Sequence, residues 1–138
     1  MSTAPARTPV IEASGLDHLA LRVTDLARSR RFYVDVLGFP IVVESERLLI
    51  VQVGDALVGC VGPDGDMPDR DRFSPHRVGL DHLAARCADE TSLQRVAAAL
   101  TAAGVEHTGI RVNPVRGNRY VAFRDPDGIA WQVAVREG

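Results

Sequence analysis

Two stretches of the chain share one alternation of hydrophobic and polar positions. Residues 16–23 read Leu-Asp-His-Leu-Ala-Leu-Arg-Val and residues 80–87 read Leu-Asp-His-Leu-Ala-Ala-Arg-Cys, with six of eight positions identical. A period of two predicts an extended strand whose alternate side chains share a face. Each strand then places a histidine and an arginine on one face and aliphatic side chains on the other. The repeat indicates that a half-domain has been duplicated.

The elements predicted after each repeat strand follow the same order in both halves. In the first half, Thr24 or Asp25 is expected to cap a helix that ends at Gly38, and strands are predicted over 39–44, 47–53 and 56–61. In the second half, Asp89 or Thr91 is expected to cap a helix that ends at Gly104, followed by strands over 105–110, 118–124 and 129–135. Both halves are therefore βαβββ units. The pattern predicts an α+β fold with two curled four-stranded sheets and helices outside.

The predicted boundaries divide the chain into four parts. Residues 1–14 are expected to form a flexible tail, 15–62 the first module, 63–79 a linker and 80–136 the second module. The linker is rich in Pro, Gly and Asp and has no periodicity. It is long for a loop in a compact domain, so a lid or a crossover to a partner chain are alternatives to a solvated connection.

Composition excludes several classes of function. The chain of 138 residues has a formal net charge of −2, which gives no basic footprint for nucleic acid. No apolar run approaches the ~20 residues of a membrane span, and no nucleotide cofactor is expected. All 16 basic residues are arginine, so a lysine Schiff base is excluded. Two distant cysteines do not make a disulfide framework, which favours a reducing cytoplasm.

Three features together resemble the vicinal oxygen chelate superfamily. They are the paired βαβββ modules, the segment DHLALRVTDLARSRRFYVDVLGF after the start of the first strand, and the segment FRDPDGIAWQV near the end. This superfamily includes glyoxalase I, extradiol dioxygenases, fosfomycin-resistance enzymes and bleomycin-resistance proteins. The resemblance covers about residues 15–136 and implies the fold more specifically than it implies any one reaction.

The resemblance also implies a metal-ligand set. In metal-dependent members, the first strand of each module supplies a ligand, and these positions match His18 and His82. The carboxylate of the last strand matches Gln132, and a further glutamate position falls at Gly59. The implied cofactor is a divalent metal such as zinc, manganese, iron or nickel. An amide oxygen binds such ions more weakly than a carboxylate does, so the alternative is a metal-free cluster in which His18, His82 and Gln132 orient a polar ligand.

Other side chains are candidates for contact with a small-molecule ligand. Arg22 and Arg86 follow the histidines on the same strand face, and a guanidinium suits a carboxylate or phosphate. Internal pairing with an aspartate and simple exposure are the alternatives, and we expect pairing for one arginine and ligand contact for the other. Tyr120 is a candidate wall residue. Cys60 and Cys87 are expected to be buried, and Trp131 to pack under the helices.

Two functions are compatible with this pattern. The first is a small metal-dependent enzyme, a lyase, isomerase or dioxygenase, acting on an oxygen-rich or anionic small molecule. The second is a metal-free protein that binds small molecules or sequesters an antibiotic, as bleomycin-resistance proteins do. In both cases His18 and His82 are expected to converge on one cavity, within the chain or across a homodimer. We expect the homodimer because each half-sheet leaves unpaired edges.

Overall fold

Two four-stranded sheets form the framework of the molecule. The structure is a computed structural model, and it describes residues 8–136. The first sheet has the order β1-β4-β3-β2 and consists of β1 (His18–Arg22), β2 (Ile41–Glu44), β3 (Leu48–Val53) and β4 (Ala56–Val61). The second has the order β5-β8-β7-β6 and consists of β5 (Leu83–Cys87), β6 (Arg111–Val112), β7 (Arg119–Arg124) and β8 (Ala130–Val135).

The two sheets repeat one topology. In each, the histidine-bearing repeat strand lies parallel to the last strand of its module, and the remaining neighbours are antiparallel. This confirms the two βαβββ modules predicted from the sequence. The boundaries proposed for the modules and linker stay predictions, and residues 1–7 of the expected tail lie outside the described residues. Residues 8–14 form no helix or strand and are exposed.

One helix follows each repeat strand. Helix α1 (Leu26–Arg30) begins after Asp25, whose side chain accepts a hydrogen bond from the Arg28 N–H, and continues as a π-helical segment over Arg31–Val36. Helix α2 (Glu90–Ala102) begins after Asp89, which accepts from the Ser92 N–H. Among the described residues, no helix combines the length and the apolar character that crossing a membrane requires.

Aromatic packing joins the first module to the second. The Tyr33 ring lies 5.6 Å from the Trp131 ring, and the Phe32 ring lies 6.0 Å from Phe123, measured between centroids. Trp131 is buried, as predicted. The helix of the first module therefore packs on the sheet of the second, and the two modules share a hydrophobic core.

The Asp125–Gly128 turn provides a second connection between the modules. The Tyr33 hydroxyl donates a hydrogen bond of 2.6 Å to Asp125, and the Trp131 indole N–H donates to the Tyr33 oxygen at 3.0 Å. Asp127 accepts hydrogen bonds from the backbone N–H and hydroxyl of Thr24 and pairs with Arg28 at 3.1 Å. Both aspartates are buried. The turn therefore joins the two modules through side chains as well as connecting β7 to β8.

The strand predicted over 105–110 is wrong. This segment makes a single bridge between His107 and Phe123, and the strand that follows is only two residues long. Gly109 has φ +66°, a left-handed conformation that interrupts an extended backbone. The Ala122 N–H also bonds to the Thr108 hydroxyl instead of a backbone carbonyl. The β6 strand is therefore displaced toward the C-terminus and shortened.

Candidate functional site

Each repeat histidine is held by the aspartate that precedes it. Nδ1 of His18 lies 2.7 Å from Asp17, and Nδ1 of His82 lies 2.6 Å from Asp81. An ionised carboxylate only accepts, so Nδ1 is the donor in each pair, and in a neutral imidazole this tautomer leaves the lone pair on Nε2. A carboxylate in this position orients a histidine that binds a metal and raises its basicity. The sequence interpretation missed these aspartates, although both stand in the repeat.

The register of the strands shows which residues share the sheet face that carries the repeat histidine and arginine. We call this the open face of each sheet. On the first sheet, the open face carries the exposed residues His18, Ala20 and Arg22, and Ala20 lies beside Gly59 of β4. On the second sheet, Ala84 lies beside Gln132 of β8 in the corresponding place. Gly59 and Gln132 are therefore structural counterparts. The first sheet presents no side chain where the second presents an amide.

His82 and Gln132 line a common cleft of about 590 Å³. Its other polar lining residues include Asp81, Glu106, His107 and Arg124. Glu106 is a carboxylate that the sequence interpretation did not consider, and no motif marked it. His18 is not part of this lining.

The donors of a single chain do not fit the implied metal. Within residues 8–136, no three His, Cys, Asp or Glu side chains are grouped so that they could hold an ion. The cleft brings His82 together with Gln132, whereas His18 lies on the first sheet. Within the described residues, the two repeat histidines therefore do not line the same cleft.

Gln132 and His107 both line the cleft but differ in whether their polar atoms are already hydrogen-bonded. The Gln132 amide is half-buried and makes no side-chain hydrogen bond within the described part of the chain. His107 uses both ring nitrogens, because Nδ1 accepts from the Gly109 N–H at 3.0 Å and Nε2 lies 2.7 Å from the Thr101 hydroxyl. His107 is a wall residue, while Gln132 has its amide free for a ligand.

The two repeat arginines have different surroundings. Arg22 donates to the Gly62 carbonyl at 2.6 Å and pairs with Asp64 at 3.3 Å. The Arg86 guanidinium makes no hydrogen bond or ion pair with any residue between 8 and 136 and is exposed. Arg86 and Tyr120 flank Ala134 in the register of the second sheet, so they share the open face with Gln132. Their role in ligand contact stays a prediction.

The cysteines are poor candidates for chemistry. Cys60 is fully buried, and burial together with Asp125 and Asp127 raises the pKa of its thiol to about 12. Cys87 is half-buried at the end of an edge strand, and burial also raises the pKa of its thiol. Both are free thiols. The expectation of burial is thus confirmed for Cys60 and is wrong for Cys87, since the edge of the sheet leaves its side chain partly accessible.

Comparison with known proteins identifies the family. A sequence model of the Glyoxalase/Bleomycin resistance protein/Dioxygenase superfamily matches residues 15–133. The chain belongs to this superfamily. This membership confirms the predicted resemblance and accounts for the duplicated βαβββ architecture, but it does not specify a reaction.

Proteins of similar sequence or structure match most of the chain. The uncharacterized protein YwkD of Bacillus subtilis is 31% identical over 118 residues, covering 81% of this chain and 89% of the relative. The uncharacterized protein YaeR of Escherichia coli is 31% identical over 121 residues, covering 81% and 88%. Among solved structures, a glyoxylase/bleomycin resistance protein/dioxygenase domain from Frankia sp. EAN1pec is 28% identical with a TM-score of 0.78, covering 91% of this chain and 100% of that one.

Proposed function

We propose that the chain is a metal-dependent enzyme that acts on an anionic or oxygen-rich small molecule at a site shared by two chains. The observation that carries this proposal is the duplicated Asp–His hydrogen bond. It leaves Nε2 free on both His18 and His82, which is the orientation that a metal ligand needs. His82 and Gln132 would come from one chain and His18 from the other.

A homodimer is supported by the exposed apolar edges of both sheets. The edge strand β2 exposes Ile41, Val42 and Val43, and the edge strand β6 exposes Val112. Apolar edge strands are normally covered, since they otherwise recruit other chains. A biological interface here should bury more than about 1,000 Å². Pairing through these surfaces would bring the open face of one chain toward that of the other.

The residues of the shared site would divide the work of binding. A divalent ion such as zinc, manganese, iron or nickel would supply Lewis-acid polarisation of the ligand's oxygens when bound. His18 and His82 would hold it through Nε2, with Gln132 contributing its amide oxygen. Arg86 and Tyr120 would contact the anionic end of the small molecule, because the Arg86 guanidinium has no internal acceptor in the described segment. Two free cysteines support a cytoplasmic location.

A second candidate is favoured by the chemistry of Gln132. An amide cannot serve as a general base, and Gly59 provides no ligand at the corresponding position. These features support a metal-free protein that binds or sequesters a small molecule. In that case His18, His82 and Gln132 would act as hydrogen-bonding groups.

Calorimetric metal titration of Gln132→Glu separates the two candidates. We expect zinc, manganous or ferrous ions to bind the parent protein and to bind the variant more tightly, because the substitution adds a negative charge to the ligand set. Gln94→Glu, on the exposed side of helix α2, is the matched control and should behave like the parent. If neither the parent nor Gln132→Glu binds any of the three ions, the metal-dependent function is wrong.

A further inference from the structure

A second cavity lies between the first sheet and the linker. It has a volume of about 320 Å³ and is lined by Ala20 and Arg22 of β1, by linker residues, and by Asp127 and Ile129 of the turn. None of His18, His82 and Gln132 lines it. The cavity is therefore separate from the cleft of the proposed function.

The linker is fixed where it borders this cavity. The Phe73 N–H donates a hydrogen bond of 3.1 Å to the Asp127 carbonyl, and the side chains of Phe73 and Leu80 pack against the core. The Arg72 guanidinium packs on Gly128, because a Cβ there would lie 3.2 Å from Nη2 of Arg72. Gly128 also has φ +83°, so a larger residue would be strained as well as crowded. The Arg72 guanidinium thus lies beside the turn.

The charges around this cavity leave two arginines without partners. Arg22, Arg72 and Arg77 all line it. Arg22 is satisfied by Gly62 and Asp64, but the guanidinium groups of Arg72 and Arg77 have no acceptor or carboxylate partner within residues 8–136. A guanidinium fork binds carboxylate and phosphate oxygens with two parallel hydrogen bonds.

Two acidic residues also line the cavity, and they do not cancel its charge. Asp127 is already paired with Arg28 and accepts from Thr24. Asp71 accepts a hydrogen bond from the Arg72 backbone N–H, and among the acidic residues that line the cavity it is the one without an ion pair. Counting Arg72 and Arg77 against Asp71 leaves an excess of one positive charge.

The remaining lining is apolar and suits an organic ligand. Phe73, Leu80 and Ile129 form this part of the wall, whereas Val78 is fully exposed at the rim. We propose that the cavity binds an organic anion whose carboxylate or phosphate contacts Arg72 and Arg77 and whose apolar portion contacts the Phe73 side of the wall. The cavity adjoins the open face that carries His18, because Ala20 and Arg22 line it, but neither repeat histidine nor Gln132 is part of its lining.

Binding of phenyl phosphate and benzoate by isothermal titration calorimetry tests this inference. The full chain is titrated with each probe at fixed ionic strength and with a chelator present, so that metal plays no part. We expect saturable binding in the millimolar range, and at least tenfold weaker binding by the Arg72→Gln/Arg77→Gln double variant. The Arg31→Gln/Arg95→Gln variant removes two exposed arginines elsewhere and should retain the parent affinity. Asp71→Asn should bind several-fold more tightly because it removes the opposing charge.

Each outcome bears on the site. Preference for phenyl phosphate indicates a phosphate ligand, preference for benzoate indicates a carboxylate, and either supports the inference. Absence of saturable binding by the parent overturns it, and so does equal weakening in both double variants, which would indicate general charge screening. A His82→Ala variant should bind both probes normally, and loss of binding there would place the probes in the other cleft. If the double variant does not fold, Arg77→Gln alone must weaken binding.

Discussion

Nδ1 of His82 donates a hydrogen bond of 2.6 Å to Asp81, and the same bond between His18 and Asp17 is 2.7 Å long. The preservation of this pair in both modules shows that the duplication retained an oriented imidazole and not only a strand. The side chain of Asp81 is 77% exposed, so its contact with His82 contributes little to folding. We therefore propose that Asp81 acts on the chemistry of His82.

Asp81→Ala should weaken metal binding without affecting stability. Loss of the carboxylate frees the imidazole to rotate and change tautomer, for which we expect a 10- to 100-fold lower zinc affinity by calorimetry. The free energy of unfolding should change by less than about 0.5 kcal/mol. Asp69→Ala removes an exposed aspartate of the linker and is the control for charge. Equal losses of zinc affinity in the two variants would show that Asp81 has no specific role in metal binding.

Tyr33→Phe should destabilise the connection between the modules. The variant leaves the Asp125 carboxylate and the Trp131 indole N–H each without one hydrogen-bond partner in a buried environment. We expect a loss of about 1–3 kcal/mol in the free energy of unfolding, measured in urea. Tyr120→Phe is the control, because Tyr120 is half-buried, its hydroxyl makes no hydrogen bond in the described residues, and its loss should cost under about 0.5 kcal/mol. Similar losses in both variants would contradict the assignment.

Asp125 should make the free energy of unfolding depend on pH in the acidic range. Burial raises the pKa of this carboxyl above its ordinary value of about 3.9, against the lowering effect of its hydrogen bonds. Between the unfolded and folded pKa values the folded state binds more protons, so this contribution to stability is full below the unfolded pKa and is lost as pH rises through the folded one. In urea titrations at several pH values, the parent should lose stability relative to Asp125→Asn as pH rises through this window. A relative gain would mean that hydrogen bonding outweighs burial.

The two thiols should differ in reactivity. Cys60 is inaccessible and its pKa is raised to about 12, whereas Cys87 is half-buried. In the Cys87→Ser variant, the remaining thiol is that of buried Cys60. A polar aromatic disulfide reagent at pH 8 should therefore modify this variant after unfolding but not in the native state. Native Cys60→Ala protein should be modified at a measurable rate through Cys87. Rapid labelling of native Cys87→Ser would mean that β4 is shifted by one residue, which exchanges its two faces.

Local sequence signals predicted most of the framework. The strand over Ala56–Val61 has its predicted bounds, and the Asp25 and Asp89 caps were among the predicted alternatives, because alternation and capping act over a few residues. The pairing of Tyr33 with Asp125 joins residues 92 positions apart, which no local pattern records. The strand predicted over 105–110 failed because Gly109 adopts a left-handed conformation.

The candidate site was only partly predictable for a different reason. The repeat identified His18 and His82, and strand register then paired Gln132 with Gly59 as counterparts. A single chain does not bring His18 into the cleft with His82. The sequence patterns left both the intrachain and the dimer arrangements open, and assembly of the site between two chains is our proposal.

Metal binding by a mixed dimer tests the shared site most directly. His18→Ala and His82→Ala chains, carrying different affinity tags, are purified as a mixed dimer and titrated with zinc or manganous ions. If each site takes His18 from one chain and His82 from the other, the mixed dimer keeps one intact site and loses the other. We therefore expect one ion per mixed dimer and none for the His18→Ala homodimer or the His82→Ala homodimer. If the mixed dimer binds no ion while the unmodified protein binds two, both histidines of a site come from one chain and the proposed shared site is wrong.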